Sequence, residues 1–249
     1  MSALVVEDFS KSYKDLQAVD ALSFEVRPGD VLALVGPNGA GKTTTMRTVA
    51  GIIAPTKGRI RIDGFDIVEQ AIEAKRRLAY VPDDPHLFDA LTVEEHLVFA
   101  AAAYRVDDWR ERAEALLARF DLTEHRTKPA IELSRGMRQK VAICCAYLHR
   151  PALVMLDEPL TGLDPRGIRT MKETLVEHAA SGAAVIVSSH LLQLVEDLCT
   201  VILILHQGKR LFLGNIDEAR QAFAAHTEDA SLEDVFFGAT EGRTAQGGS

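Results

Sequence analysis

Apolar residues fall in short runs over the first third of the chain and in longer helical stripes through the middle. Residues 4–8, 22–26 and 31–35 alternate or run apolar between turn signals such as Arg27-Pro28-Gly29-Asp30, and they read as short strands. The pattern predicts a helix over 43–53, broken by Ala54-Pro55-Thr56-Lys57-Gly58, then a strand over 59–63 ending in the turn Asp63-Gly64. A further short strand is expected over 78–81, before Pro82. Between 84 and 150 the texture changes. Thr92-Val93-Glu94-Glu95 has the form of a capping box, and helical patterns rich in alanine, leucine and arginine follow it. This stretch reads as a helical subdomain inserted into an α/β core. Strands are then expected over 153–156, 184–188, 201–205 and 210–213, with helices over 166–178 and 191–198. Strands alternating with helices predict a mostly parallel sheet. There is no internal repeat, and residues 239–249 are polar and glycine-bearing, as in a disordered tail.

With 249 residues the chain can bury one full α/β core. Its net charge of −8 does not favour non-specific nucleic-acid binding, so no nucleic-acid partner is expected. No apolar run reaches membrane-spanning length, candidates such as 97–103 and 201–205 falling far short of it. The first ten residues carry acidic side chains and lack the layout of a signal peptide. Cys144, Cys145 and Cys199 have no metal-ligand spacing and read as core residues in a reducing compartment. Trp109, set among charges, reads as a partly exposed packing residue.

Residues 36–43 read Gly36-Pro37-Asn38-Gly39-Ala40-Gly41-Lys42-Thr43, a complete phosphate-binding loop. It follows the apolar run 31–35 and opens a helix, the strand–loop–helix setting the motif needs. Its glycines let several N–H groups turn toward one anion, and the helix adds its positive end. Lys42 can reach β- and γ-phosphates, and the Thr43 hydroxyl can sit on Mg²⁺. Further along, the apolar strand over 153–156 runs into Asp157 and Glu158. Such a strand delivers its last side chains to the sheet edge where the loop lies. There Asp157 can hold Mg²⁺ and Glu158 can accept a proton from attacking water. Ser134 reads as the N-cap of a helix running to about His149, and that N-terminus could serve as a second anion site.

Together, and in this order, these motifs resemble the nucleotide-binding subunit of an ATP-binding-cassette transporter, of exporter type. Leu133-Ser134-Arg135-Gly136-Met137 is similar to the family's signature Leu-Ser-Gly-Gly-Gln, departing from it at Arg135 and Met137. Thr161-Gly162-Leu163-Asp164 resembles the D-loop, Ser188-Ser189-His190 the switch histidine, and Tyr13 the aromatic that stacks on adenine. Where the family usually has a glutamine that contacts Mg²⁺, this chain has Asp83. The resemblance implies a P-loop NTPase core with a mostly parallel sheet, an N-terminal antiparallel β subdomain and a helical subdomain inserted over 84–150, all in one domain over 1–238. It implies ATP and Mg²⁺ as ligands. Gly36, Asn38, Gly39, Ala40, Gly41, Lys42, Thr43 and Thr44 would cradle the phosphates. Thr43, Asp83 and Asp157 would serve the metal, and Glu158, His190 and Lys42 the hydrolysis.

The resemblance also implies a head-to-tail homodimer in which Ser134 and Gly136 reach the other copy's ATP and Asp164 couples the two sites. A separate integral membrane permease would be the partner, with the chain peripheral on the cytoplasmic face of the cell membrane. In the family, the region of 85–91 forms a groove for a cytoplasmic helix of the permease. Leu87, Phe88 and Leu91 could equally pack the subdomain itself. The segment 231–237 is similar to the tails of subunits exporting drugs, lipids or polysaccharides. Two other readings stay open: a cassette ATPase acting on a soluble assembly, and a regulatory module that hydrolyses poorly. The intact Glu158 speaks against the second.

Overall fold

A computed structural model describes residues 2–189 and 192–223. The helix expected over 191–198 therefore begins at its edge, while His190, the segment 231–237 and the tail over 239–249 lie outside the described residues. The chain opens with β1 (Leu4–Tyr13), β2 (Leu16–Val26), β3 (Val31–Val35), α1 (Lys42–Val49), β4 (Lys57–Ile62), β5 (Phe65–Asp66), α2 (Ala71–Arg76) and β6 (Leu78–Val81). Three helices follow, α3 (Val93–Tyr104), α4 (Trp109–Arg119) and α5 (Arg135–Leu148). The chain then returns through β7 (Leu153–Asp157), α6 (Pro165–Ala180), β8 (Ala184–Ser188), α7 (Leu192–Leu198), β9 (Val201–His206), β10 (Lys209–Gly214) and α8 (Ile216–Phe223).

Two sheets result. The first is antiparallel, in the order β2-β1-β4-β5. The second runs β10-β9-β3-β8-β7-β6, parallel throughout except for β10 at its edge. All five residues of β3, of β7 and of β8 are buried. The period of two divides them between two cores. Val31, Ala33 and Val35 face one core with Val154, Leu156, Val185 and Val187, whereas Leu32 and Leu34 face the other with Leu153, Met155 and Ile186. The second core also holds Met46 and Val49 of α1 and Phe9, Phe24 and Ile60 of the antiparallel sheet. Helix α1 is thus wedged between the two sheets. The first core continues into the helical stretch through Leu97, Leu117, Ile143 and Leu148, so those helices share the hydrophobic interior of the sheet. Among the described residues no helix is long and apolar enough to cross a membrane.

The elements differ from the sequence pattern in instructive ways. Strands β1 and β2 are longer than the expected 4–8 and 22–26. Asp8 and Ala21 take positive φ of 47° and 45°, and the pairing slips between Val6 and Phe9. These bulges shift the alternation of buried positions, so the strands look shorter in sequence than they are. Helix α1 ends at Val49 and does not run on to residue 53. Gly51 turns left-handed at φ 64°, and the Ile52 N–H folds back on the Arg47 carbonyl at 3.0 Å. The short α2 and the amphipathic α8 went unmarked in the pattern, the first because it is barely more than one turn. The capping box is present as expected. The Thr92 hydroxyl accepts from the Glu95 N–H at 3.2 Å and the Glu95 carboxylate accepts from the Thr92 N–H at 2.7 Å. Cys144 and Cys199 are buried, Cys145 is partly so, and Trp109 is half-buried. We expect Thr92→Ala to lower stability to unfolding by about 1 kcal/mol, with the urea m-value unchanged, because only the start of α3 loses its partners.

Candidate functional site

The loop of 36–41 joins a strand buried on both faces to a helix wedged between two sheets, and the close packing dictates its residues. Gly41 sits at φ 102°, and a Cβ there would come within 2.8 Å of the Ala18 carbonyl oxygen, so glycine is required twice over. Gly36 is extended, with its backbone packed on the Leu205 carbonyl. Asn38 and Gly39 are exposed, Ala40 is buried, and Lys42, Thr43 and Thr44 form the first turn of α1. No side chain caps that turn and no acidic residue lies in it, which leaves the helix N-terminus facing an open cleft. The Lys42 ammonium lies back along the loop, donating to the carbonyls of Gly36 at 2.5 Å and Pro37 at 3.2 Å. Burial pushes its pKa down, while Glu158 and Asp157 counteract that shift.

Parallel pairing brings the second group of residues alongside. Leu34 pairs with Ser188, which pairs in turn with Asp157, so the ends of β3, β8 and β7 lie on adjacent rungs. Asp157 is buried, and burial raises its pKa. The charge of Asp83 raises it further, whereas the nearby Ser188 hydroxyl, Lys42 and the Tyr80 hydroxyl act the other way. Tyr80, on β6, is itself pushed up to about 12, first by burial and then by Asp157. Directly after Asp157 the backbone turns left-handed at Glu158, with φ 48°, and the Glu158 N–H donates to the Ser188 carbonyl at 2.9 Å. A non-glycine residue held in this region is uncommon, and the turn takes Glu158 out of the strand at the cleft.

The cleft has a volume of about 600 Å³. Asn38 to Thr44, Asp83, Asp157 and Glu158 line it, and Tyr13 and Leu16 form an apolar lip, 45% and 67% exposed. Gln17, Ser188 and Gln207 also line it. Sequence reasoning missed Leu16, Gln17, Tyr80, Ser188 and Gln207 as site residues. Tyr80 left a signal as a polar-tipped residue in the apolar strand before Asp83, and Ser188 stood only as the first residue of the segment resembling the switch histidine. The donors around Asp157 are all oxygen, from carboxylates and the Thr43 hydroxyl, which suits a hard cation of the Mg²⁺ class. Among the described residues no cluster of His, Cys, Asp or Glu forms a metal site unaided. A cation here would need ligand oxygens to complete its shell, which is how Mg²⁺ is commonly held beside phosphates.

Ser134, Gly136 and Asp164 do not line this cleft. They meet at a separate place where α5 begins and α6 begins. Ser134 caps α5, its hydroxyl accepting from the Met137 N–H at 3.3 Å. Any Cβ on Gly136 would run into the Gly162 carbonyl. Asp164 caps α6 by accepting from the Gly167 N–H at 3.1 Å, and its carboxylate pairs with Lys140 of α5 at 3.3 Å. The hydrogen bond to Gly167 and then the charge of Lys140 hold the Asp164 pKa below the usual carboxylate range. Asp83 links the two places, because it lines the cleft and also accepts from the Arg135 guanidinium at 3.0 Å.

A second groove, of about 430 Å³, opens beside the helical stretch. Phe88 and Phe99 stand more than half exposed along it, edge to face with centroids 5.3 Å apart, next to the exposed Ile52. Leu87 packs against the core and Leu91 is half-buried. His96 fixes the rim by accepting from the Phe88 N–H at 3.0 Å through Nε2 and donating to the Thr92 carbonyl at 2.7 Å through Nδ1, as a neutral ring does.

The family model described as ABC transporter matches residues 19–161. The chain is 35% identical to the ABC-type transporter ATP-binding protein EcsA of Bacillus subtilis, over 97% of this chain and 98% of that protein. It is also 35% identical to the SkfA peptide export ATP-binding protein SkfE of Bacillus subtilis, over 84% of this chain and 87% of that protein. A solved ATP-binding subunit of an ABC transporter superposes with a TM-score of 0.91 at 36% identity, covering 96% of this chain and 99% of the other.

Asp157 ionises less readily in the folded chain than in the unfolded one. Its charge therefore costs stability above its folded pKa, and the cost is gone below about pH 4, where both states hold the proton. We expect nucleotide-free Asp157→Asn, in the presence of a chelator, to resist urea better than the parent at pH 7. The gain should shrink as pH falls through the folded pKa of Asp157.

Proposed function

The chain belongs to the ABC transporter family, as an ATP-binding subunit, and from that premise we propose that it is a Mg²⁺-dependent ATPase driving export through a separate membrane permease. The observation that carries the reading is one cleft that gathers a phosphate-binding loop and its lysine after β3 with two carboxylates at the end of β7, the two strands flanking β8. In the proposed cycle Tyr13 stacks on the adenine, with Leu16 beside it. The N–H groups of residues 36–44 and the N-terminus of α1 hold the phosphates. Lys42 leaves the Gly36 and Pro37 carbonyls and moves onto the β- and γ-phosphate oxygens. Thr43, Asp157 and Asp83 hold Mg²⁺, which neutralises phosphate charge when bound. Glu158 takes a proton from the attacking water. The water oxygen bonds to the γ-phosphorus as the bond to the β–γ bridging oxygen breaks, and ADP leaves. His190 would bond the γ-phosphate.

Ser134 and Gly136 lie away from the cleft of their own chain, at the exposed start of α5. That placement supports a head-to-tail homodimer in which they donate to the other copy's ATP, with Asp164 coupling the two sites. The groove edged by Phe88 and Phe99 supports docking of an apolar permease segment. The chain would then work on the cytoplasmic face of the cell membrane, held there by its partner. Export rather than import rests on likeness to relatives such as the peptide export protein SkfE.

Glu158→Gln should retain nucleotide binding and lose about 10²- to 10⁴-fold in hydrolysis, measured as phosphate release at saturating ATP. Equal rates in parent and variant would instead indicate a regulatory module. Tagged chain purified from detergent-solubilised membranes should bring with it one multi-spanning protein, and Phe88→Asp should lose that protein while keeping ATPase activity. Recovery with soluble partners alone would overturn the transport role and leave the ATPase site standing.

A further inference from the structure

Arg135 and Asp83 meet across the boundary between the helical stretch and the cleft. Arg135 is the first residue of α5, and Asp83 comes two residues after β6. Their guanidinium and carboxylate lie 3.0 Å apart, each side chain about half exposed. The stem of Arg135 crosses Gly162, where the position of a Cβ would lie 3.5 Å from its Cδ. One side chain therefore touches the segment after β7 and the rim of the cleft while belonging to the Ser134–Gly136 turn.

The charges around it indicate its task. Asp83, Asp157 and Glu158 line one cleft with Lys42 as the cation among them, and the charge of Asp83 helps raise the Asp157 pKa. Arg135 adds a second cation, whose planar guanidinium suits a carboxylate. It does so from the helical stretch, 52 residues away in sequence. A divalent cation arriving beside Asp157 would compete with the guanidinium for the Asp83 carboxylate.

We propose that Arg135 is a positioning residue that occupies Asp83 in the nucleotide-free chain, so that Mg²⁺ gains Asp83 only as the Arg135–Asp83 pair opens and frees the start of α5 from the cleft rim. The inference rests on the Mg²⁺-ATP reading of the cleft. It makes the pair a latch between metal binding and the Ser134–Gly136 turn.

The test uses the full chain and four forms: parent, Arg135→Ala, Asp83→Ala and the double variant. A fluorescent ATP analogue is titrated with Mg²⁺, and the half-saturating Mg²⁺ is read from binding. Arg135→Ala should lower it by about two- to fivefold at low salt, the range of an exposed ion pair, and by less at high salt. In the Asp83→Ala background the same change should have no effect, and Arg135→Lys should restore the parent value. In the nucleotide-free chain, amide exchange over 134–138 should quicken in each single variant and no further in the double. An Arg135→Ala effect that persists without Asp83, or a rise in the Mg²⁺ requirement, overturns the latch. A parent chain that binds no nucleotide at any Mg²⁺ overturns the ATP reading instead, and additive exchange rates in the double variant then overturn the latch on their own.

Discussion

A strand buried on both faces has no side chain to offer to solvent except where the backbone leaves the sheet. β3, β7 and β8 are all of this kind, and they are neighbours in one parallel sheet. Chemistry is therefore confined to their ends, and parallel direction places those ends on one edge. The loop after β3, the Asp157–Glu158 pair after β7 and Ser188 at the end of β8 follow from that single constraint. The same burial removes Asp157 and Lys42 partly from water. It disfavours both charges before any ligand arrives, raising the pKa of one and lowering that of the other. A polyanion with its cation would supply what each of these groups lacks.

The antiparallel sheet is the second support. It packs on α1 through the core that holds Met46, Val49 and Phe9. The bulged hairpin of β1 and β2 then reaches past that core, so that Tyr13, Leu16, Gln17 and Ala18 come to the cleft. Ala18 closes on Gly41 from the other side. The loop is held by its own turn and by backbone from a distant part of the chain, which gives it a defined shape without a ligand.

The helices between β6 and β7 are tied to the sheet in two ways. Their apolar faces continue its core through Leu97, Leu117 and Ile143. At the start of α5 the ties are a close approach that only glycine allows, Gly136 against Gly162, and the ion pair of Lys140 with Asp164. The helices thus share the interior at one end, while at the other only a few polar contacts join α5 to the cleft rim and to α6.

Much of this was legible in the residues. The phosphate loop, the Asp157–Glu158 strand end, the Thr92 capping box and the caps at Ser134 and Asp164 are local patterns, each specified within a few positions by backbone chemistry. The parallel sheet was legible because strands alternate with helices along the chain. The full length of β1 and β2 was not, because bulges at Asp8 and Ala21 shift the alternation that pattern reading relies on. The early end of α1 came from one left-handed glycine. Leu16, Gln17 and Gln207 carry no motif, and they enter the cleft only because separate strands converge there. Nor could sequence alone pair Arg135 with Asp83, two departures from the family pattern that look unrelated along the chain. Local order is set by neighbours in sequence, whereas which distant side chains share a cleft or a charge is decided by packing, once burial has chosen how the sheets and helices stack.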